Sequence, residues 1–229
     1  MSKLVTRFAP SPTGYIHIGN IRAALYPWLL YKQDPGSKFI LRIEDTDQSR
    51  FVEDATELIV SSLKWLGIDW NEGYEAGGDN GPYVQSERKA IYAKYAQKLI
   101  DKGLAYADPY SQSELKDFRE QAKKAKQPFL YRNFRPKNPP AWDGSQPLRL
   151  KVVEPKRVNW YDPIMGELSA GPEAQDDFIL IKSDGLPTYN FAHVVDDQEM
   201  GVTLVMRGLE YISSIPKYLS LYEALKIEP

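Results

Sequence analysis

His17 is one of two histidines in 229 residues, and it stands where a loop becomes a helix. The loop is Ser11-Pro12-Thr13-Gly14, and helical spacing of apolar residues begins near Asn20. A helix N-terminus leaves backbone N–H groups unpaired and carries partial positive charge, so it suits a phosphate. An imidazole at that point can donate to phosphate oxygens that gain charge in a transition state. Gly19 removes a side chain where a ligand could approach closely. A histidine that merely caps or packs the helix is the competing reading, and a short H-x-G match leaves both open. The glycine spacing fits neither a dinucleotide fingerprint nor a P-loop.

Composition narrows the chemistry. There are no cysteines, which excludes disulfides, thiolate zinc sites and a cysteine nucleophile. With 42% hydrophobic and 26% charged residues, the chain reads as globular. No apolar run approaches a membrane span, and MSKLVTRFAPSPTG lacks the apolar core of a secretory signal. A cytoplasmic enzyme without membrane contact is therefore expected. The net charge of -2 leaves a nucleic-acid partner open, because local patches decide that.

The elements that position these residues follow from periodicity. VTRFAPS reads as a strand entering a proline turn, and Ile21, Ala24, Leu25, Trp28 and Leu29 recur at helical spacing. KFILRI is a compact apolar strand with acidic residues directly after it. A second helix is expected over 53–66 and a third from Ser86. Strand, helix, strand, helix, helix predicts a parallel α/β sheet. From about Asp108 to Gln175 the chain turns proline-rich and short-segmented, which predicts an inserted α+β subdomain. LRLKVV and the stretch from Trp160 to Leu168 read as strands and turns within it. At Asp177 the α/β pattern resumes, with FILI and VTLVMRG as strands and TYNFAHVV and SIPKYLSLYEAL as helices. The expected divisions are 1–107, 108–175 and 176–229.

Arg7-Phe8-Ala9-Pro10-Ser11-Pro12-Thr13-Gly14 followed by His17-Ile18-Gly19-Asn20 resembles the glutamyl-tRNA synthetases, class I aminoacyl-tRNA synthetases with a "HIGH" motif. Ile43-Glu44-Asp45-Thr46-Asp47, Trp65-Leu66-Gly67-Ile68-Asp69-Trp70, Gly81-Pro82-Tyr83-Val84-Gln85-Ser86-Glu87-Arg88, Pro187-Thr188-Tyr189-Asn190-Phe191-Ala192 and Val195-Asp196-Asp197 agree, in order. The resemblance implies a Rossmann-like nucleotide-binding domain split by an acceptor-stem-binding insertion. It also implies activation of L-glutamate with ATP and Mg2+, then transfer to the 3′ end of tRNA(Glu). ATP would lie against Pro12, Thr13, Gly14, His17, Gly19, Asn20 and Glu210, with His17 and Gly19 as the catalytic pair. Glutamate would be held by Arg7, Ala9, Ser11, Glu44, Tyr189, His193 and Arg207. An arginine fork matches a carboxylate, and a carboxylate can pair with the substrate ammonium.

Each of these residues also has a plainer reading: a surface ion pair for Arg7 and Arg207, a core aromatic for Tyr189, a partly buried histidine for His193, and a strand-end partner of Arg42 for Glu44. Leu209 departs from the acidic residue usual in the family. No metal site is expected, and no zinc. Residues 116–137 carry eight Lys/Arg against two acidic residues, with Phe118, Phe129, Tyr131 and Phe134 interleaved, which suits an RNA backbone and unpaired bases. The family's "KMSKS"-type lysine loop and anticodon-binding region are not found before Pro229. The expectation is an N-terminal catalytic fragment that activates glutamate poorly by itself. A glutamyl-queuosine tRNA synthetase and a noncatalytic RNA-binding module are the alternatives.

Overall fold

In a computed structural model, which describes residues 3–228, Val5–Phe8 (β1) and Lys38–Leu41 (β2) pair in parallel, with Val5 opposite Lys38 and Phe8 opposite Leu41. Between them runs helix α1 (Ile18–Gln33), and α2 (Ala55–Trp65) leads on to Glu72–Gly73 (β3), which completes a parallel sheet in the order β1-β2-β3. Parallel strands with helical crossovers are buried on both faces, so β2 is apolar and buried from Phe39 to Leu41. Phe39 and Leu41 point to the side packed by Ala24 of α1 and by Ile59, Val60 and Leu63 of α2. Ile40 points the other way, to Val5, Tyr83 and Met200. Gly73 sits at φ +125°, and a Cβ there would fall on the Leu41 carbonyl, so only glycine lets β3 come this close.

The chain forms two compact units, Met1–Ile91 with Val195–Tyr211, and Tyr92–Val194 with Ile212–Pro229. The parallel sheet belongs to the first. In the second, Ala105–Ala107 (β4), Leu148–Leu150 (β5) and Ile179–Ile181 (β8) form an antiparallel sheet in the order β4-β5-β8. Val158–Asp162 (β6) and Gly166–Ala170 (β7) form a separate hairpin, its turn fixed by the Asp162 carboxylate accepting from the Ile164 and Met165 N–H groups. Before them come helices α3 (Lys89–Asp101) and α4 (Gln112–Lys124), and after them α5 (Tyr189–Glu199) and α6 (Ile215–Leu225). Ser111 and Glu114 make a reciprocal capping box at the start of α4.

Three local expectations are corrected. Residues 202–208 form no strand. Thr203 and Leu204 both donate to the one carbonyl of Val5, and the Thr203 hydroxyl takes the Val5 N–H, so no ladder can propagate. FILI pairs antiparallel with β5 instead of extending the parallel sheet. A 3₁₀ turn, Gln85–Arg88, precedes α3, and Ser86 spends its N–H on the Asp45 carboxylate.

Candidate active site

Side chains two residues apart on a strand share a face. That puts Arg7 on the Val5 side of β1, and the same alternation past β2 brings Arg42 and Glu44 to the Ile40 side. All three charges are buried, with Arg42 fully so. Their counter-charges are Asp196 and Asp197 in the last turns of α5. Acidic residues are disfavoured at a helix C-terminus, and here arginines compensate them. Asp197 takes Arg7 in a two-pronged contact, Nε to Oδ1 at 3.1 Å and Nη2 to Oδ2 at 3.2 Å. Arg42 donates Nη1 to Asp197 Oδ1 at 2.8 Å and Nη2 to Glu44 Oε1 at 2.8 Å. Asp196 is held by Arg88 Nε at 2.7 Å and Gln85 Nε2 at 2.8 Å.

Burial works against the Arg42 charge, yet Asp197, Glu44 and Asp196 outweigh it and hold the guanidinium well above its usual value. Burial pushes the Glu44 carboxyl up, against the pull of Arg42 and Arg7. Spare hydrogen-bonding capacity remains at Arg88 Nη2 and Gln85 Oε1, which flank Asp196, and at Arg7 and Glu44. Arg7 is clamped through Nε and Nη2, which leaves Nη1. Glu44 is clamped through Oε1, which leaves Oε2. Neither spare atom has a partner among the described residues. Arg7 and Glu44 thus offer one donor and one acceptor, each on a buried residue held by a neighbour of opposite charge. Glu44 is the Arg42 partner that its position suggested, and it still has an oxygen to give.

The loop from Ala9 to Gly14 is tied at two carbonyls: Glu44 N–H donates to Pro10 O and Val52 N–H to Pro12 O, both at 2.9 Å. Pro12 is buried, Ala9 and Thr13 are half-buried, and Ser11 and Gly14 are exposed. His17 is the N-cap of α1. Its Nδ1 accepts from Gly19 N–H at 3.1 Å, and its own N–H donates to Asn20 Oδ1 at 3.1 Å. A Cβ on Gly19 would lie 2.8 Å from His17 Cε1. The glycine therefore makes room for the histidine ring itself, a requirement the spacing alone did not reveal. Arg207 is half-buried with its guanidinium 5.3 Å from the Tyr211 ring centre, and Glu210 is exposed.

Tyr189 and His193 lie one turn apart in the second unit. Their ring centres are 4.9 Å apart, and His193, 2% exposed, meets Tyr218 edge-on at 4.3 Å. The basic stretch also belongs to this unit. Lys116, Arg119, Lys123, Lys124, Lys126 and Lys137 are exposed, whereas Arg135 is spent on Asp177. Its aromatic rings pack on one another: Phe118, Phe129 and Phe134 remain half-buried, and only Tyr131 is buried. Phe134 stacks on Phe118 and Phe129 at 4.7 and 5.6 Å, and Tyr131 is buried under Arg149. Among the described residues, no group of three His, Asp or Glu side chains is placed to hold a metal ion.

The residues that sequence reasoning left without a role are Arg42, Arg88, Asp196 and Asp197 in the cluster. Their signal was present: an arginine inside FILRI and two acidic residues after FAHVV are charges inside apolar runs, which fold only if paired.

The chain is similar to known proteins along nearly its whole length. A glutamate–tRNA ligase of Clostridium botulinum (strain Hall) is 50% identical over 236 residues, covering 97% of this chain and 47% of its own length. One of Clostridium tetani is 48% identical, with the same coverage of each. The crystal structure of a glutamate tRNA ligase from Elizabethkingia meningosepticum, in complex with its amino acid, superimposes with a TM-score of 0.90 at 36% identity. That superposition covers 100% of this chain and 48% of that one. The chain spans about half the length of the curated relatives it matches. Residues 3–229 match the catalytic domain of the class I tRNA synthetases for E and Q, and the chain belongs to that family.

Proposed function

We propose that the chain carries the amino-acid-activating site of a glutamate–tRNA ligase, and that the Arg7–Asp197–Arg42–Glu44 cluster is its amino-acid end. The observation that carries this reading is the pair of spare atoms, Arg7 Nη1 and Glu44 Oε2. An amino acid brings a carboxylate that needs a donor and an ammonium that needs an acceptor. Glu44 Oε2 takes the ammonium. Arg7, joined by Arg207, takes the substrate carboxylate. Ala9 and Ser11 line the same end, on the loop anchored through Pro10 O. For Tyr189 and His193 the assignment rests on the sequence resemblance alone.

The chemistry needs no protein nucleophile. The substrate α-carboxylate attacks the α-phosphorus of ATP, a P–O bond to the carboxylate forms, and the bond to the β-phosphate oxygen breaks. Pyrophosphate leaves with its electron pair, and the product is glutamyl-adenylate. ATP enters as its Mg2+ complex, and the metal offsets phosphate charge. Positioning and fixed donors supply the catalysis. His17, Gly19 and Asn20, with Pro12, Thr13, Gly14 and Glu210, form the ATP end. The tRNA(Glu) acceptor end is the second substrate, and the exposed lysines of 116–137 suit its phosphates. A cytoplasmic location fits this role.

Calorimetry with a substrate and its truncated analogue tests the reading. Glu44→Gln should weaken glutamate binding by about tenfold or more, because the ammonium loses a charged acceptor. Glutarate lacks that ammonium, so wild type and Glu44→Gln should bind it alike. Equal losses for both ligands would remove Glu44 from the role. Arg207→Ala should weaken glutamate far more than ATP.

A further inference from the structure

We infer that Gly19 and Asn20 are positioning residues for His17, fixing its ring with Nδ1 as acceptor and Nε2 as the one nitrogen that can donate outward. A neutral imidazole has one N–H and one bare nitrogen, and the hydrogen bond made by one ring nitrogen sets the state of the other. Nδ1 lies 3.1 Å from the Gly19 N–H, so Nδ1 is bare and the proton sits on Nε2. His17 is exposed, and Nε2 has no hydrogen-bond partner among the described residues. Asn20 closes the arrangement from the other side, because its Oδ1 accepts the His17 backbone N–H at 3.1 Å and holds the residue in its extended cap conformation, φ -135°.

Gly19 matters for the space it leaves. An added Cβ would lie 2.8 Å from Cε1 and 3.0 Å from Nδ1, closer than carbon contacts allow. The backbone of α1 is regular here, and the exposed ring is the part that can move. Alanine at this position therefore swings the imidazole off the helix end and leaves the helix intact, since alanine favours helix over glycine. Donation from Nε2 to a phosphate rests on the function proposed above; the fixed ring does not.

The test uses the whole chain labelled with 15N-histidine. Only two histidines contribute, and His17→Ala assigns them. Two-bond 1H–15N correlations at a pH where the rings are neutral should show His17 with its proton on Nε2 alone. Gly19→Ala should replace that pattern with the averaged signals of a mobile ring, with the helical circular dichroism unchanged. Asn20→Ala should move it the same way, and Asn20→Asp, which keeps the accepting oxygen, should restore it. A wild-type ring protonated on Nδ1, or ring signals that Gly19→Ala and Asn20→Ala leave unchanged, would overturn the proposal. If the expected pattern is found and the Nε2 signal ignores added MgATP, the phosphate assignment falls and the positioning stands.

Discussion

Within the first unit, two corners are organised by opposite means. The side chains of Arg7 and Glu44 hydrogen-bond only to charged side chains, buried, with partners up to 190 positions away in sequence. Around His17 every hydrogen bond is to a backbone group or its neighbour's amide, at an exposed site, within four residues. In the buried corner, charges in a low-dielectric setting hold one another rigidly, and each pair depends on the rest. At the exposed corner the helix end does the holding, and water can replace what is lost. A substitution in the buried corner should thus threaten the fold, while one at the exposed corner should cost no more than a helix cap, about 1 kcal/mol.

Arg42→Met is the strongest way to break that contrast. It removes the cation shared by Glu44 and Asp197, both of them buried. Removing one partner of a buried ion pair typically costs about 3–5 kcal/mol, because the other charge stays behind unpaired. Urea unfolding of the wild type and the variant should show a loss of that size, seen as a lower midpoint. A loss below about 1 kcal/mol would mean that water reaches the cluster, and the two corners would then differ in degree only.

Glu72 is an intermediate case. Its carboxylate is buried, but its partners are mixed: Lys38 Nζ at 2.5 Å, Asn80 Nδ2 at 2.7 Å and the Tyr83 hydroxyl at 2.8 Å. Burial alone would raise its pKa, and the hydrogen bonds from Lys38, Asn80 and Tyr83 outweigh that and hold it below the usual 4.5. The Tyr83 hydroxyl is pushed up to about 12 by burial and by Glu72, so it remains a donor. A depressed carboxylate binds its proton less tightly folded than unfolded. Its stabilisation is therefore complete above the unfolded value and is lost as pH falls through the folded one. Glu72→Gln should cost about 1–3 kcal/mol near neutral pH. The gap to wild type should close as the pH drops below 4.5, read from denaturation midpoints across an acid series. A gap independent of pH would assign the effect to shape and not to charge.

The sequence foreshadowed these corners unequally. Local periodicity was enough for β1, α1, β2 and α2, because KFIL and the helical spacing of Ile21, Ala24 and Trp28 state their own burial. The loop-to-helix junction at His17 was visible for the same reason, and all its hydrogen-bond partners lie within four residues. The pairing of Arg42 with Glu44 was legible at a separation of two. What pins the pair was not: Asp197 lies 155 positions from Arg42, and no local pattern links them. Residues 202–208 were misread for a related reason. VTLVMRG has the composition of a strand, but whether a ladder forms depends on Val5, far away in the chain, and there the Thr203 hydroxyl intervenes. FILI could not announce whether it would join a parallel or an antiparallel partner. The mutual stacking of the phenylalanines of 116–137 is likewise a tertiary fact that spacing did not announce.

The smallest expected effect is at the exposed corner, and it separates holding from chemistry most cleanly. His17→Ala removes the side-chain acceptor for the Gly19 N–H, and loss of a helix cap costs about 1 kcal/mol. Asparagine is among the best capping residues. His17→Asn should therefore keep thermal stability within about 0.5 kcal/mol of wild type. An asparagine side chain can supply the acceptor that Nδ1 gives to the helix, but it cannot reproduce the far ring nitrogen. If His17→Asn is as unstable as His17→Ala, the helix end was not what held the ring, and the corner is stabilised by something other than its cap. If both variants match wild type, water replaces the cap at no cost, and His17 occupies this position for its outward nitrogen alone.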